Sequence, residues 1–554
     1  MRRKQLLSVF MLVLGASLLI TAMTVAGASG ATAKAGHSQA AKGGTLKLNE
    51  SNEDFDYVDP QIAYRTDDWA MLSTTAMQLV GFPEKAGAAG SQLYPVAATA
   101  FPTVSKDGKT YTFHIRPGMK FSDGSVVTAA AFQRAFERTL SPKMGSPVGV
   151  NIGLQDEIVG ADAFFNGKAQ SISGISAKGN TLTVHLTKPN ATFVSQLGMQ
   201  WFTATKANTP YTSQGLQTFP SAGPYYISSR DPGRSTVLKR NPYYKGPRPA
   251  NPDEIVFTPN VDPDQSLLQV KSGQSDLDIV GNVPTSSASL AAQYGVNKSR
   301  FKVGPTACMY YMSMNNARPP FDNLALRKAV NWAIDRPAQV RLLGAYAGKR
   351  TDQILVPGIP GYKPYNVYAL KGADVAKAKQ VGGSAIASAP EINFVHTTSQ
   401  SSTNRAQVAE YNLRQAGFKV KDVPTPATTF YQVVGARNTT YNMTSNGGWC
   451  ADYFDPYDYI NVIFNGRNIQ ANNNPFYSYF NNASFNKHMD AAALLSGAAR
   501  AKAYAALDQE LMVKYAPVVP YLINNDHFLT SARLKNWIYS AYFGMPYFNA
   551  LTVG

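Results

Sequence analysis

Cysteine is nearly missing from this chain: two residues, Cys308 and Cys450, among 554. With no Cys-x-x-Cys pair, a zinc ribbon and a thioredoxin-like redox centre are excluded. Histidine is also sparse. The six residues His37, His114, His185, His396, His488 and His527 include no two at metal-ligand spacing, which argues against a histidine-based zinc site. No metal or other cofactor is expected. There is no Gly-x-Ser-x-Gly elbow and no His-Glu-x-x-His stretch, so two common hydrolase signatures are missing. The nearest approach to a phosphate loop, Gly344-Ala-Tyr-Ala-Gly348-Lys349, is one residue too short. Penicillin-binding-type acyl-transferases use Ser-x-x-Lys, Ser-x-Asn and Lys-Thr-Gly. Ser299-Arg-Phe-Lys302, Ser313-Met-Asn315 and Lys271-Ser-Gly273 come near this, but in scrambled order. An exported serine acyl-transferase or hydrolase is therefore only a remote alternative. The net charge is +17, yet no run of five or six Lys/Arg occurs. Scattered charge of this kind reads as a basic solvated surface, and no nucleic-acid partner is expected.

What is present begins at the N-terminus. Met1-Arg2-Arg3-Lys4 precedes an almost uncharged apolar run from Leu6 to Val25, followed by small-x-small sites such as Ala26-Gly27-Ala28. This is the pattern of a secretory signal peptide, expected over residues 1–28. A retained membrane anchor is the other reading, because about 20 apolar residues also span a bilayer. No cysteine lies near the junction, so no N-terminal lipid anchor is expected. Residues 29–44, small, polar and basic, read as a flexible lead-in. Export places the body in the periplasm or at the outer face of the cytoplasmic membrane, where the two cysteines can pair. The choice is between one Cys308–Cys450 disulfide and two free thiols, and export favours the bridge. A mature chain of about 520 residues is too long for one core and predicts two or three lobes.

Strand and helix signals are mixed, without strict βαβ alternation. Gly43 to Leu48 reads as a first strand. From Lys109 to Phe121, Tyr111, Phe113 and Ile115 alternate with Thr112, His114 and Arg116, a half-buried strand. Thr181 to Leu186 repeats that pattern. Thr128 precedes a helix carrying Phe132, Ala135, Phe136 and Leu140. Between Asp322 and Leu343, Leu326, Ala329, Val330, Ala333 and Ile334 form one apolar helical stripe, with Asp322 or Asn323 as cap and a break at Pro337. Arg405–Ala416 and Lys502–Lys514 read as further helices.

The densest chemistry lies in Gly447-Gly448-Trp449-Cys450-Ala451-Asp452-Tyr453. Glycines let another backbone approach closely, Trp449 offers a flat apolar wall, and an ionised Asp452 accepts hydrogen bonds from an ammonium group. Together they outline a site for an extended, amine-bearing ligand such as a peptide. A strand-end carboxylate satisfied by local N–H groups is the plainer reading of Asp452.

Several motifs carry a family resemblance. The run Ser105-Lys-Asp-Gly108-Lys-Thr-Tyr111-Thr-Phe113-His-Ile-Arg116-Pro-Gly118-Met-Lys-Phe121-Ser-Asp123-Gly124 is similar to the signature of the family 5 solute-binding proteins. These are extracytoplasmic receptors of ABC importers for peptides and nickel. Gly223-Pro224-Tyr225 with Arg240-Asn241-Pro242-Tyr243-Tyr244, and Pro320-Phe321-Asp322 through Ala333-Ile334-Asp335-Arg336, resemble further family elements in the same order. Gly448 to Tyr453 is most similar to the oligopeptide-binding members. The resemblance implies a two-lobed, periplasmic-binding-protein-like α/β fold (type II, large peptide-binding class). In it, 45–85, 206–307 and 522–554 form a discontinuous first lobe, 86–205 an inserted smaller domain and 308–521 the second lobe. It also implies a non-enzymatic monomer that closes on a peptide by hinge motion and delivers it to a membrane permease with a cytoplasmic ATPase.

For the site residues, the resemblance implies Asp452 as the partner of the peptide α-amino group. Gly448 and Cys450 would supply main-chain hydrogen bonds, Trp449 would line a side-chain pocket, and Cys308 would bridge to Cys450. The family's carboxylate-binding Arg before the motif is replaced here by Asn446, and its His for short ligands is replaced near Thr403-Asn404. Arg437 is matched to a second basic position by spacing. A non-peptide ligand, such as an oligosaccharide, opine or metal chelate, is the alternative within the same transport role.

Overall fold

The structure is a computed structural model that describes residues 43–51, 53–147, 153–281, 286–470, 474 and 476–554. The expected signal segment 1–28, and the expected lead-in apart from Gly43 and Gly44, lie outside these residues. No described helix is long and apolar enough to cross a membrane.

Three sheets carry the fold. A five-stranded sheet has the order Leu277–Asp278, Thr45–Ser51, Glu254–Val261, Ser235–Arg240, Tyr225–Asp231. A six-stranded sheet has the order Gly348–Arg350, Val518–Leu529, Phe301–Met314, Met443–Cys450, Ile392–Thr397, Val420–Thr425. A four-stranded sheet pairs Thr103–Val104, Thr110–His114, Thr181–His185 and Ile175–Lys178. The two-lobed α/β fold expected from the resemblance is what these sheets build.

The alternating patterns account for the small sheet. Tyr111 and Phe113 turn inward opposite Val184 and Leu182, and pack beneath Ala129–Leu140, whose Phe132, Ala135, Phe136 and Leu140 are buried. The strand is shorter than its pattern and stops at His114, three residues before Pro117, which has no N–H to give the ladder. A fully buried ion pair, Arg138 Nη2 to Asp59 Oδ2 at 2.7 Å, ties this unit to the segment after the first strand.

The motifs behind the resemblance turn out to be architectural. Asn241 Nδ2 donates to the carbonyls of Ser221 and Gly223 at 3.2 and 3.1 Å, and a Cβ on Gly223 would lie 2.4 Å from the Thr75 carbonyl group. Asn323 and Asp335 cap the helices Leu324–Ala333 and Arg336–Arg341. Arg336, fully buried, donates to the carbonyls of Asn331, Thr351 and Pro520. A buried guanidinium is tolerated there because its donors meet carbonyl acceptors.

Two long strands link the large sheets. Phe301–Met314 and Val518–Leu529 pair antiparallel from Phe301↔Leu529 onward, with a shift of register between Pro305 and Met309. At their outer end Thr530 bridges to Leu277 of the five-stranded sheet, while Cys308 and Tyr310 already pair with Met443–Cys450 in the six-stranded sheet. The expected boundaries 307/308 and 521/522 fall inside these strands.

Candidate functional site

The Met443–Cys450 strand is covered on one side by Phe301–Met314, in the register Cys308↔Cys450, Met309↔Trp449, Tyr310↔Gly448, Tyr311↔Gly447. On its other side Ile392–Thr397 pairs only with Met443 and Thr444. From Gly447 to Cys450 that edge has no strand neighbour among the described residues. An unpaired edge presents backbone N–H and C=O groups that can accept an added strand. Cys308 and Cys450, directly opposite in register, form the expected disulfide across 142 residues of sequence.

A cavity of about 700 Å³ opens along this edge. One wall comes from the six-stranded lobe, with Gly448, Trp449, Cys450, Asp452, Arg405 and Tyr521. The other comes from the body built on the five-stranded sheet, with Tyr64, Trp69, Tyr542 and Phe543. The volume is in the range of small-ligand pockets.

Asp452 stands where the two walls meet. Only 6% of its surface is exposed. Its carboxylate accepts a hydrogen bond from the Tyr64 hydroxyl at 3.1 Å, its carbonyl accepts one from the Tyr542 hydroxyl at 2.5 Å, and its N–H donates to Asp458 Oδ2 at 2.9 Å. Burial pushes its pKa up to about 7, against the opposing pull of the Tyr64 hydrogen bond. No ion pair involves Asp452 among the described residues. Asp458 is fully buried behind it. Asp458 Oδ2 also accepts from the Trp449 indole N–H at 3.1 Å, while Oδ1 has no hydrogen-bond partner. Burial, reinforced by the charge of Asp452, drives Asp458 well above the carboxylate range. Burial raises both carboxyls, and the two titrate as a coupled pair.

The remaining expected residues divide. Trp449 lines the cavity with its indole N–H fixed by Asp458 and its ring 6.2 Å from Phe476. Gly448 and Cys450 also line it. The space beside Gly448 is taken by the Tyr310 ring, 2.5 Å from where a Cβ would stand, so neighbouring-strand packing alone demands glycine there. Arg437 is not brought to this cavity. It is exposed beyond the helix Ala427–Gly435 and faces a separate cavity of about 300 Å³ with Arg327, Asp322 and Tyr479. Spacing placed it in the chain but not in the fold.

Arg405, read from sequence only as a helix residue, is the base that lines the cleft. It lies in the helix Gln400–Ala416 and donates through Nη1 to the Tyr521 hydroxyl at 2.7 Å. Tyr64, Tyr542 and Asp458 also escaped sequence reasoning, since no local pattern distinguishes them. The scattered acyl-transferase elements do not assemble. Ser313 is fully buried in the six-stranded sheet, whereas Ser299 and Lys271 are exposed elsewhere. Among the described residues no three His, Cys, Asp or Glu are grouped to hold a metal ion.

Comparison with known proteins agrees with this architecture. The oligopeptide-binding protein OppA of Bacillus subtilis (strain 168) is 23% identical over 467 residues, covering 80% of this chain and 83% of its own. Among solved structures, the clavulanic acid biosynthesis oligopeptide binding protein 2 superposes with a TM-score of 0.85 at 21% identity, over 93% of this chain and 96% of that one. The periplasmic binding protein DppA from Helicobacter pylori, solved with the peptide STSA, gives 0.75 at 20% identity over 93% and 98%. Residues 92–471 match the family described as bacterial extracellular solute-binding proteins, family 5 Middle, and this chain belongs to that family.

Proposed function

We propose that this protein captures peptides outside the cytoplasm and delivers them, as a monomer and without chemical turnover, to the membrane permease of an ABC importer. The observation that carries the reading is Asp452, a buried carboxylate facing the cavity with no cation beside it. A buried anion without a counter-ion is costly, and a peptide α-ammonium supplies the missing charge. The edge from Gly447 to Cys450, which has no strand neighbour among the described residues, adds main-chain hydrogen bonds that do not depend on ligand sequence. Arg405 is suited to the ligand carboxylate in place of the missing Arg at position 446 and of the exposed Arg437. Closure would bend the paired strands Phe301–Met314 and Val518–Leu529, which act as the hinge. The N-terminal segment serves export.

Native mass spectrometry of the mature protein, followed by denaturation and identification of what is released, tests the reading. Short peptides are expected among what is released. A single non-peptide species would retain the receptor role but overturn the peptide ligand, as would binding that survives blocking of the amine.

A further inference from the structure

We infer that the cleft is selective rather than permissive: it favours short peptides with neutral side chains whose first residue is aromatic or bulky and apolar. This rests on the peptide reading and narrows it.

The wall beside the five-stranded sheet is a linked set of rings. Tyr64 stacks on Trp201 at 5.3 Å, and Trp69 meets the same Trp201 edge-on at 5.1 Å. Tyr542 lies 6.1 Å from Trp69 and 4.8 Å from Phe543. Their polar tips are already engaged. The indole N–H groups of Trp69 and Trp201 both donate to the Ala63 carbonyl, at 2.8 and 2.9 Å. The hydroxyls of Tyr64 and Tyr542 both go to Asp452. Tyr64, Trp69, Tyr542 and Phe543 present ring edges and faces to the cavity, with Trp201 fully buried behind them. Because two of the wall's rings are bonded to Asp452, an ammonium that meets Asp452 brings its own side chain against them. Aromatic and aliphatic groups gain there from burial and ring contact.

Charge points the same way. Among the described residues, Asp452 and Arg405 are the only Asp, Glu, Lys or Arg side chains that line the cavity. Once these meet the two ends of a peptide, a Lys, Arg, Asp or Glu side chain on the ligand has no counter-ion. Burying it unpaired costs binding energy.

Calorimetry on the mature protein with Phe-Ala-Ala, Ala-Ala-Ala, Asp-Ala-Ala and Lys-Ala-Ala tests the inference. Phe-Ala-Ala is expected to bind at least about tenfold tighter than Ala-Ala-Ala, the effect of burying one aromatic side chain. Both charged peptides are expected to bind more weakly than Ala-Ala-Ala. Trp69→Leu should narrow the ratio between Phe-Ala-Ala and Ala-Ala-Ala. Phe543→Leu provides the same readout at a second ring if the first variant does not fold. Equal affinity for all four peptides, or a charged peptide binding tightest, would overturn the selectivity. Failure of all four to bind would overturn the peptide reading itself.

Discussion

At the scale of single residues, the protonation of Asp452 sets the behaviour of the site. Its carboxyl is raised from 3.8 to about 7 in the unliganded protein by burial. The folded state therefore holds a proton that the unfolded chain releases, and this group lowers stability progressively as pH rises from about 4 to 7. A ligand ammonium favours the ionised form and draws the pKa back down. Binding is then linked to proton release. Affinity should weaken by up to about tenfold for each pH unit below 7, levelling off at the pKa of the complex. Calorimetry at pH 5, 6 and 7 would show the slope, and a flat profile would contradict it. Asp452→Asn removes both the charge and the slope. It is expected to cost about 2–5 kcal/mol of peptide binding, as for other truncated charge pairs buried in interfaces. Asp458→Asn disturbs the acceptor that orients Trp449.

At the scale of elements, the Met443–Cys450 strand depends on its neighbour. A methyl group on Gly448 would collide with the Tyr310 ring at 2.5 Å. Gly448→Ala should therefore destabilise by about 1–3 kcal/mol through overpacking. Adding Tyr310→Leu should recover part of the loss, and urea denaturation of the four proteins in the cycle measures the coupling. If the two substitutions proved additive, the steric account would fail. Chain-entropy reasoning gives the Cys308–Cys450 loop of 142 residues about 5 kcal/mol of stabilisation. Reduction should accordingly lower the urea midpoint. Much of this was legible in sequence. The period-two and helical stripes located Thr110–His114, Ala129–Leu140 and Leu324–Ala333, because one buried face imposes its spacing on the chain. The motifs behind the resemblance mark residues such as Asn241 and Arg336, whose task is to satisfy buried carbonyls. That the Tyr310 ring packs on the Cβ side of Gly448 is not legible in the sequence, because Tyr310 belongs to a distant strand. Arg437 and Arg405 show the same limit: which base faces the cleft depends on how a helix docks, and spacing along the chain does not encode it.

At the scale of the whole molecule, the two lobes meet at Asp452. The carboxylate and carbonyl of Asp452 are held by the hydroxyls of Tyr64 and Tyr542, which lie far apart in the sequence and pack in the core beside the five-stranded sheet. These hydrogen bonds join the two walls of the cleft, so a motion that parts the walls at Asp452 breaks them. Each such bond contributes about 0.5–1.5 kcal/mol, more where the acceptor is ionised. The rings themselves pack against Trp69, Trp201 and Phe543, and Tyr→Phe keeps that packing. The double variant Tyr64→Phe, Tyr542→Phe should therefore shift the free protein toward open forms and weaken peptide binding by about 1–3 kcal/mol. Its preference among first side chains should survive, because the ring wall remains. Small-angle scattering with and without peptide would show whether ligand still compacts the variant, and calorimetry would give the affinity. If affinity fell while the free and bound dimensions matched those of the unsubstituted protein, the hydroxyls would be acting on the ligand charge alone, and closure would have to be driven by the peptide bridging Asp452 and Arg405.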